Sequence, residues 1–470
     1  MLHLYDTASG TVRPLQLRTE GEVSMYVCGP TVYDLPHIGH GRANLTFDVL
    51  RRYLSFTGLR VHHVANITDV DDNIIKRANE LGRTEPDVAA EFEARWWESM
   101  EALGDLRPHE VPHATAYIEH MVELIGDLLA RNVAYETSDG VYLEVDKVPG
   151  YGLLAQQSLD SLRAGARVEA NEEKRSPLDF AVWKRAKEGE PSWPAPWGNG
   201  RPGWHTECVV MSLDLLGEGF DLHGGGQDLK FPHHENERAQ AVADGKEFAR
   251  HWVHNGWVVV GSEKMSKSLG NFTTLPDLLE RYDARSYRLL MLRAHYRSPI
   301  EVTPETLADA EKGLERLDAL ARRFGVGDLL AASPDGVVVE GRDAGDGGVA
   351  GDVDAGALAA FRVRMDDDLD TPGALAGIFE LVTAAHSAAD AGDEEGGRRL
   401  ARTAALLLAA LGLPLRGESG EVDEAAAQLV AARDEARKRK DFARADALRD
   451  ELTALGWTVE DTPSGTAIHR

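Results

Sequence analysis

Two short basic motifs, with 227 positions between His37 and Lys264, set the strongest limit on the fold of this chain. The first is Pro36-His37-Ile38-Gly39-His40 and the second is Lys264-Met265-Ser266-Lys267-Ser268. An apolar run from Val23 to Val32 precedes the first motif, and an amphipathic stretch from Gly41 to Phe56, ending at Gly58, follows it. This pattern predicts a strand feeding a helix, with two imidazoles and backbone N–H groups at the helix start, where phosphate is stabilised. Gly39 has no Cβ, so a flat ring can lie against the main chain there. The second motif offers two lysines on a small polar segment, suited to a polyphosphate whose charge moves during in-line displacement. Two phosphate-binding walls so far apart predict a nucleotide-binding α/β fold split by an insertion.

The intervening sequence supports that division. Val61 to Ile67 reads as a second strand, and Asp71 to Leu81 as a helix stopped by Gly82. Ala116 to Ala134 reads as helix, Asp139-Gly140 as a hairpin turn, and Pro191 to Trp204 as the close of an insertion. Strand signals return near Asp221 and at Trp257 to Val260. After Thr303-Pro304, a helix cap followed by proline at the first helical position, Leu307, Leu314, Leu317 and Leu320 form an apolar stripe. The expected divisions are a Rossmann-like catalytic domain over 1–115 and 201–260, a connective insertion over 116–200, and the lysine-motif region over 261–302. A helical bundle follows over 303–415, interrupted by an acidic, glycine-rich loop at 333–356, and a small module over 416–470 ends the chain.

Composition narrows the function. The net charge of −27 argues against indiscriminate nucleic-acid binding, though not against a specific RNA contacted by a local basic patch. No run of about 18 apolar residues is present, and no basic-then-apolar leader starts the chain, so a cytoplasmic protein without membrane contact is expected. The two cysteines, Cys28 and Cys208, are 180 positions apart, and a disulfide between them is not expected in that compartment. Each sits in a polar, glycine-bearing context rather than an apolar stripe. His233 and Glu237 are spaced i, i+4 and share one helix face. Two thiols, an imidazole and a carboxylate make a zinc set. Spacing alone leaves that set open against two buried thiols and a surface ion pair, and leaves His234 open as an alternative to His233.

The chain resembles the class I aminoacyl-tRNA synthetases, and within them the cysteinyl-tRNA synthetase family. The resemblance rests on both motifs and on five further runs: Tyr26 to Asp34, Asn66 to Asp72, Gly203 to Cys208, His223 to Leu229, and Phe231 to Glu237. It extends from residue 20 to the C-terminus. It implies ligation of L-cysteine to tRNA(Cys) at the expense of ATP with magnesium, through a cysteinyl adenylate, by a monomer. It also implies one zinc ion held by Cys28, Cys208, His233 and Glu237. Zinc would bond a thiolate in preference to an alcohol and so tell cysteine from serine.

By the same resemblance, His37, His40, Lys264 and Lys267 act on the phosphates, with Lys267 in direct contact with ATP. His223, Gly224, Gly225, Gly226 and Asp228, with Gly39, lie on the ribose and adenine side. Thr31, Thr68 and Trp204 surround the amino acid. The final module would bind the anticodon. Seven basic residues fall between Arg433 and Arg449, of which Arg437, Arg439 and Lys440 would contact tRNA while Trp457 stacks a base. The rival readings are a related ligase joining cysteine to glucosaminyl-inositol, a simple nucleotidyltransferase, and a non-catalytic RNA-binding protein. Asp69, Asp71 and Asp72 lack the glycine and distal glutamate of a calcium loop, so capping roles are expected for them.

Overall fold

The computed structural model describes residues 1–158, 161–162, 173–260, 263–264, 273–327, 329, 353–417, 424–462 and 465–469. An N-terminal hairpin, β1 (His3–Asp6) and β2 (Thr11–Pro14), precedes β3 (Glu22–Val27). Five of the six residues of β3 are buried, as in a strand covered on both faces. The strand is shorter than the apolar run predicts, because the chain leaves the sheet after Val27 to build the site.

Helix α1 (Ile38–Phe56) starts three residues earlier than expected. The cause is a reciprocal cap. The His40 N–H donates to His37 Nδ1 and the His37 N–H donates to His40 Nδ1, both at 3.2 Å. Next come β4 (Arg60–Ala65), α2 (Asp72–Leu81) and α3 (Glu85–Ala102). Asp71 caps α2 by accepting from the Asn73 N–H at 2.8 Å, and Gly82 ends it at φ 63°. The capping role expected in this acidic run is thus met at Asp71. Asp72 pairs with Lys184 and Arg201 instead, and Asp69 accepts from the Thr115 N–H.

Helix α4 (Ile118–Ala130) is shorter than predicted, because Ala134 opens β5 (Ala134–Glu136). The predicted turn at Asp139-Gly140 joins β5 to β6 (Gly140–Leu143), and β7 (Phe180–Arg185) and β8 (Gly200–Pro202) complete an antiparallel sheet in the order β5-β6-β7-β8. The chain then returns through α5 (Trp204–Leu216), β9 (Leu222–Gly226), α6 (Glu235–Ala243) and β10 (His251–Asn255). The central sheet is parallel throughout, in the order β10-β9-β3-β4. A smaller sheet follows, with β11 (Val258–Val260) between β12 (Glu263–Lys264) and β13 (Ile300–Glu301); α7 (Leu275–Leu279) and α8 (Ala284–Leu292) lie between the last two strands in sequence.

The remainder is helical. Thr303 caps α9 (Pro304–Phe324), and its four predicted leucines are buried. With α10 (Ala355–Met365), α11 (Thr371–Asp390) and α12 (Glu394–Ala410) it shares one apolar core with α1 and the central sheet. The final module has its own small core, built from α13 (Glu424–Lys438), α14 (Phe442–Ala454) and the hairpin of β14 (Thr458–Thr462) with β15 (Gly465–His469). Among the described residues, no helix is long and apolar enough to cross a membrane. Residues 333–352 of the acidic loop, and Lys267, lie outside the described residues.

A buried ionic joint ties the bundle to α1. Asp48 accepts from Arg52 Nε at 2.8 Å and from Arg288 on α8 at 2.7 Å. Arg288 also reaches Asp105 at 2.9 Å and the Leu411 carbonyl at the end of α12. Burial alone would raise the Asp48 carboxyl, but the two guanidiniums outweigh it and hold it well below the usual carboxylate range. Removing one partner of such a joint leaves uncompensated buried charge, so Asp48→Ala is expected to cost about 3–5 kcal/mol in urea unfolding at neutral pH. A loss under about 1 kcal/mol, as for an exposed pair, would contradict the joint.

Candidate active site and metal centre

The chain leaves β3 through Cys28 and Gly29. A Cβ on Gly29 would lie 1.6 Å from the Asn66 carbonyl oxygen, so the crossing of these two segments requires glycine. The Gly29 N–H donates to the Asn66 side-chain oxygen at 2.9 Å, which fixes Cys28 at the carboxyl end of the sheet. Cys208 arrives from α5, His233 from the irregular turn Lys230–His234, and Glu237 from α6. Segments far apart in sequence thus meet at one point.

The four donor atoms stand at the spacing of a coordination shell. Cys28 Sγ is 3.6 Å from Cys208 Sγ and 3.4 Å from Glu237 Oε1. His233 Nε2 is 3.7 Å from Cys208 Sγ and 3.0 Å from Glu237 Oε1. A tetrahedral zinc with ordinary bond lengths places sulfurs about 3.8 Å apart, sulfur and nitrogen about 3.6 Å, and nitrogen and oxygen about 3.4 Å. The set matches these edges to within a few tenths of an ångström before any ion is added. An overlapping group of Cys28, His223, His234 and Glu237 also lies within range. It offers one thiol only, its His223 Nε2 already bonds Glu237 Oε2 at 2.6 Å, and its His234 is tied through Nδ1 to His254 at 2.8 Å.

The surroundings orient these donors. His223 holds one oxygen of Glu237 and leaves the other facing the thiols. His205 Nδ1 lies 2.8 Å from His233 Nδ1, so the outer nitrogen of that ring is held and Nε2 faces the cluster. Burial alone would raise the Glu237 carboxyl; the imidazoles of His223, His233 and His234 override it and hold the group well below its usual range. Burial opposes charge on His233, but the Glu237 carboxylate lifts it to about 10. Burial likewise opposes a thiolate at Cys208, yet the Cys28 thiol donor and the His233 ring bring it down to about 6. Burial, then the neighbouring Cys208 and Glu237, push the Cys28 thiol well above its usual range, so a divalent cation binding here would take the place of the protons on Cys28 and His233.

Cys28 lines a cavity of about 530 Å³. Trp204 stands beside it and stacks on His233 with ring centroids 3.9 Å apart. The same cavity is lined by Thr31, His37, Gly39 and His40, and also by Gly225, Gly226, Asp228 and Trp257. The His37 and His40 rings stack at 3.6 Å. Because both Nδ1 atoms accept backbone N–H groups, the neutral rings carry their protons on Nε2, which is the donor each presents.

Several expected contacts fall elsewhere. His223 is fully buried and bonded to Glu237, so it supports the carboxylate rather than a nucleotide. Gly224 is also buried, with the Phe47 ring 2.2 Å from where its Cβ would stand, so it serves packing. Thr68 is buried behind the cavity, donating to Glu207 at 2.6 Å and accepting from Asn66 at 3.3 Å. Trp257 lines the cavity without a sequence signal for a site, and Asn66, which opens the Asn66 to Asp72 run, lines it as well although that run assigns it no role. The backbone of Lys264 pairs with Val259, while Lys267 lies outside the described residues.

In the final module Trp457 is 1 % exposed and packs with Ala426, Leu452 and Ile468, so its ring is not available to stack a base. Among the described residues it is the one aromatic ring buried in this small core, and its burial there removes more apolar surface than that of the aliphatic neighbours it packs against. Arg433 is buried too, bonded to Asp461 and Thr466. Arg437 pairs with Asp461 and is partly exposed, whereas Arg439 and Lys440 are exposed. The large apolar ring exposed in this module is Phe442, at 65 %.

Residues 14–312 match the model of the class I (C) tRNA synthetase catalytic domain, 360–416 a DALR domain, and 419–467 a cysteinyl-tRNA ligase anticodon binding domain. The cysteine–tRNA ligase of Syntrophotalea carbinolica is 44 % identical over 490 residues, covering 99 % of both chains. That of Geobacillus thermodenitrificans is 44 % identical over 476 residues, covering 100 % of this chain and 99 % of its own. Among solved structures, Mycobacterium tuberculosis methionyl-tRNA synthetase in complex with methionyl-adenylate shares the fold at TM-score 0.60 and 17 % identity, over 90 % of this chain and 96 % of its own. Full-length similarity of this kind, with a matching catalytic domain built around the sheet described above, places the chain in the cysteine–tRNA ligase family of class I aminoacyl-tRNA synthetases.

Proposed function

We propose that this ligase forms cysteinyl adenylate from L-cysteine and ATP, that it transfers the cysteinyl group to the 3′ end of tRNA(Cys), and that Cys28, Cys208, His233 and Glu237 hold a zinc ion that selects the substrate. The observation that carries this reading is the donor set at coordination spacing, set against a cavity that also receives His37 and His40. When bound, zinc supplies a soft Lewis acid that favours a thiolate over a hydroxyl group.

The chain's own residues do the rest. Trp204 and Thr31 line the cavity with Cys28 and would flank the bound amino acid. Thr68, through Glu207, and Asn66, through Gly29, keep the segments bearing Cys208 and Cys28 in register. The cysteine carboxylate attacks the α-phosphorus, and pyrophosphate leaves with its magnesium. His37 and His40 donate from Nε2 to the phosphate oxygens as charge shifts, at a helix start whose dipole adds to the effect. Lys264 and Lys267 neutralise the departing pyrophosphate. Gly39, Gly225, Gly226 and Asp228 receive the nucleoside, with the Asp228 carboxylate an acceptor for ribose hydroxyls. The terminal tRNA hydroxyl then attacks the activated carbonyl and AMP leaves; positioning supplies most of the rate.

The direct test is ATP–pyrophosphate exchange with L-cysteine and L-serine, on metal-replete and chelated protein. Exchange is expected with cysteine alone, to fall on chelation, and to return with zinc. Serine turnover comparable to cysteine would sink the selection step. Because asparagine caps a helix as well as histidine does here, His37→Asn is expected to preserve the urea midpoint while lowering kcat for exchange about 100-fold, the scale for loss of one donor at a developing charge. An unchanged kcat would remove His37 from the reaction. Truncation after Gly417, or Phe442→Ala with Arg439→Ala, is expected to spare exchange and cut aminoacylation at least about tenfold, as loss of base stacking plus a phosphate contact implies. Intact charging would reassign the module.

A further inference from the structure

Arg42, one turn into α1, is 3 % exposed, and no acidic side chain pairs with it among the described residues. Its guanidinium is satisfied by backbone carbonyls: Trp257 at 2.5 Å, Tyr296 at 3.1 Å, His295 at 3.5 Å, and Ser298. Burial without a carboxylate is costly, and it lowers this group to about 10. Such an arrangement needs the planar fork of arginine, since one ammonium cannot span these acceptors.

The acceptors are not scattered. Trp257 is the residue before β11, and Val259 of that strand pairs with Lys264 on β12. The 295–298 turn crosses the same point, where the Gly256 N–H donates to the Tyr296 carbonyl at 2.8 Å. The far side of the lysine motif is stitched to the histidine motif as well. The Ile38 N–H donates to the Thr273 carbonyl at 3.2 Å, and the Leu275 N–H to the Pro36 carbonyl at 2.7 Å. Tyr287 on α8, fully buried, donates its hydroxyl to the Ile38 carbonyl at 2.5 Å.

We propose that Arg42 and Tyr287 are positioning residues that lock the first turns of α1, and with them His37 and His40, to the strands that carry Lys264, so that the two phosphate-binding walls are held in register. The inference rests on the assignment of both motifs to ATP. Neither side chain touches substrate; each acts through the backbone it holds.

The test is steady-state ATP–pyrophosphate exchange normalised to titrated active sites, so that incompletely folded protein is not counted. Arg42→Lys is expected to lower kcat about 30-fold or more, the scale of an ångström-level misplacement, with the KM for cysteine within about twofold and zinc content unchanged. Tyr287→Phe is expected to show the same split at about 5–10-fold. Arg52→Lys, equally buried on the same helix but bonded to Asp48, is expected to lower Tm and leave kcat unchanged. A kcat for Arg42→Lys within about threefold of the parent, or a fall that Arg52→Lys matches at equal loss of Tm, overturns the proposal. If Arg42→Lys does not fold, Tyr287→Phe decides, and an unchanged kcat overturns it. Lys264→Ala separates the two levels: full exchange in that variant refutes the lysine assignment itself, whereas impaired exchange there with normal Arg42→Lys refutes only the coupling.

Discussion

A carboxylate that water cannot reach is the constraint around which this molecule is built. Glu237 is fully buried, and its charge is offset by imidazoles from three directions. A buried carboxylate without such partners would neutralise itself. Instead one oxygen is held by His223 and the other is turned toward two thiols and His233. Three elements of the parallel sheet domain must stay in register for this to hold. The close crossing of Gly29 and Asn66 sets the position of Cys28, α5 sets Cys208, and the turn Lys230–His234 leading into α6 sets His233 and Glu237.

The carboxyl end of the same sheet places Cys28 and the His37–His40 pair on one cavity. Strand β3 ends at Val27, Cys28 follows it, and ten residues after Cys28 α1 begins with His37 as its cap. One strand-to-helix connection therefore delivers Cys28 and the histidine-capped helix start to a single cavity. The buried pairing of Asp48 with Arg52 and Arg288 then fixes α1 against α8 and the end of the bundle. Helix α1 thus sits in a core shared with the helices that precede the final module.

Features governed by local chemistry were legible in the sequence. The caps at Asp71, Gly82 and Thr303, the hairpin at Asp139-Gly140 and the leucine stripe of α9 all follow from neighbours in the chain. The His233–Glu237 pairing followed from helical spacing. Features governed by burial were not. His223, Gly224 and Thr68 lie in motifs that carry chemistry, yet each faces the interior, and nothing in a linear run distinguishes a wall from its support. Trp457 and Phe442 show the same limit. An aromatic ring amid basic residues reads as a stacking platform, but a module this small must spend its largest ring on its core. The zinc set joins residues 180 positions apart at its two thiols, so only three-dimensional distance could test it.

The central claim is that the substrate thiol is chosen by the ion these four residues hold. X-ray absorption at the zinc edge of the purified protein measures it most directly. The account predicts one zinc per chain with two sulfur neighbours, from Cys28 and Cys208, rising to three on addition of L-cysteine and staying at two with L-serine. Active protein without zinc, or a sulfur count that L-cysteine leaves unchanged, would contradict it.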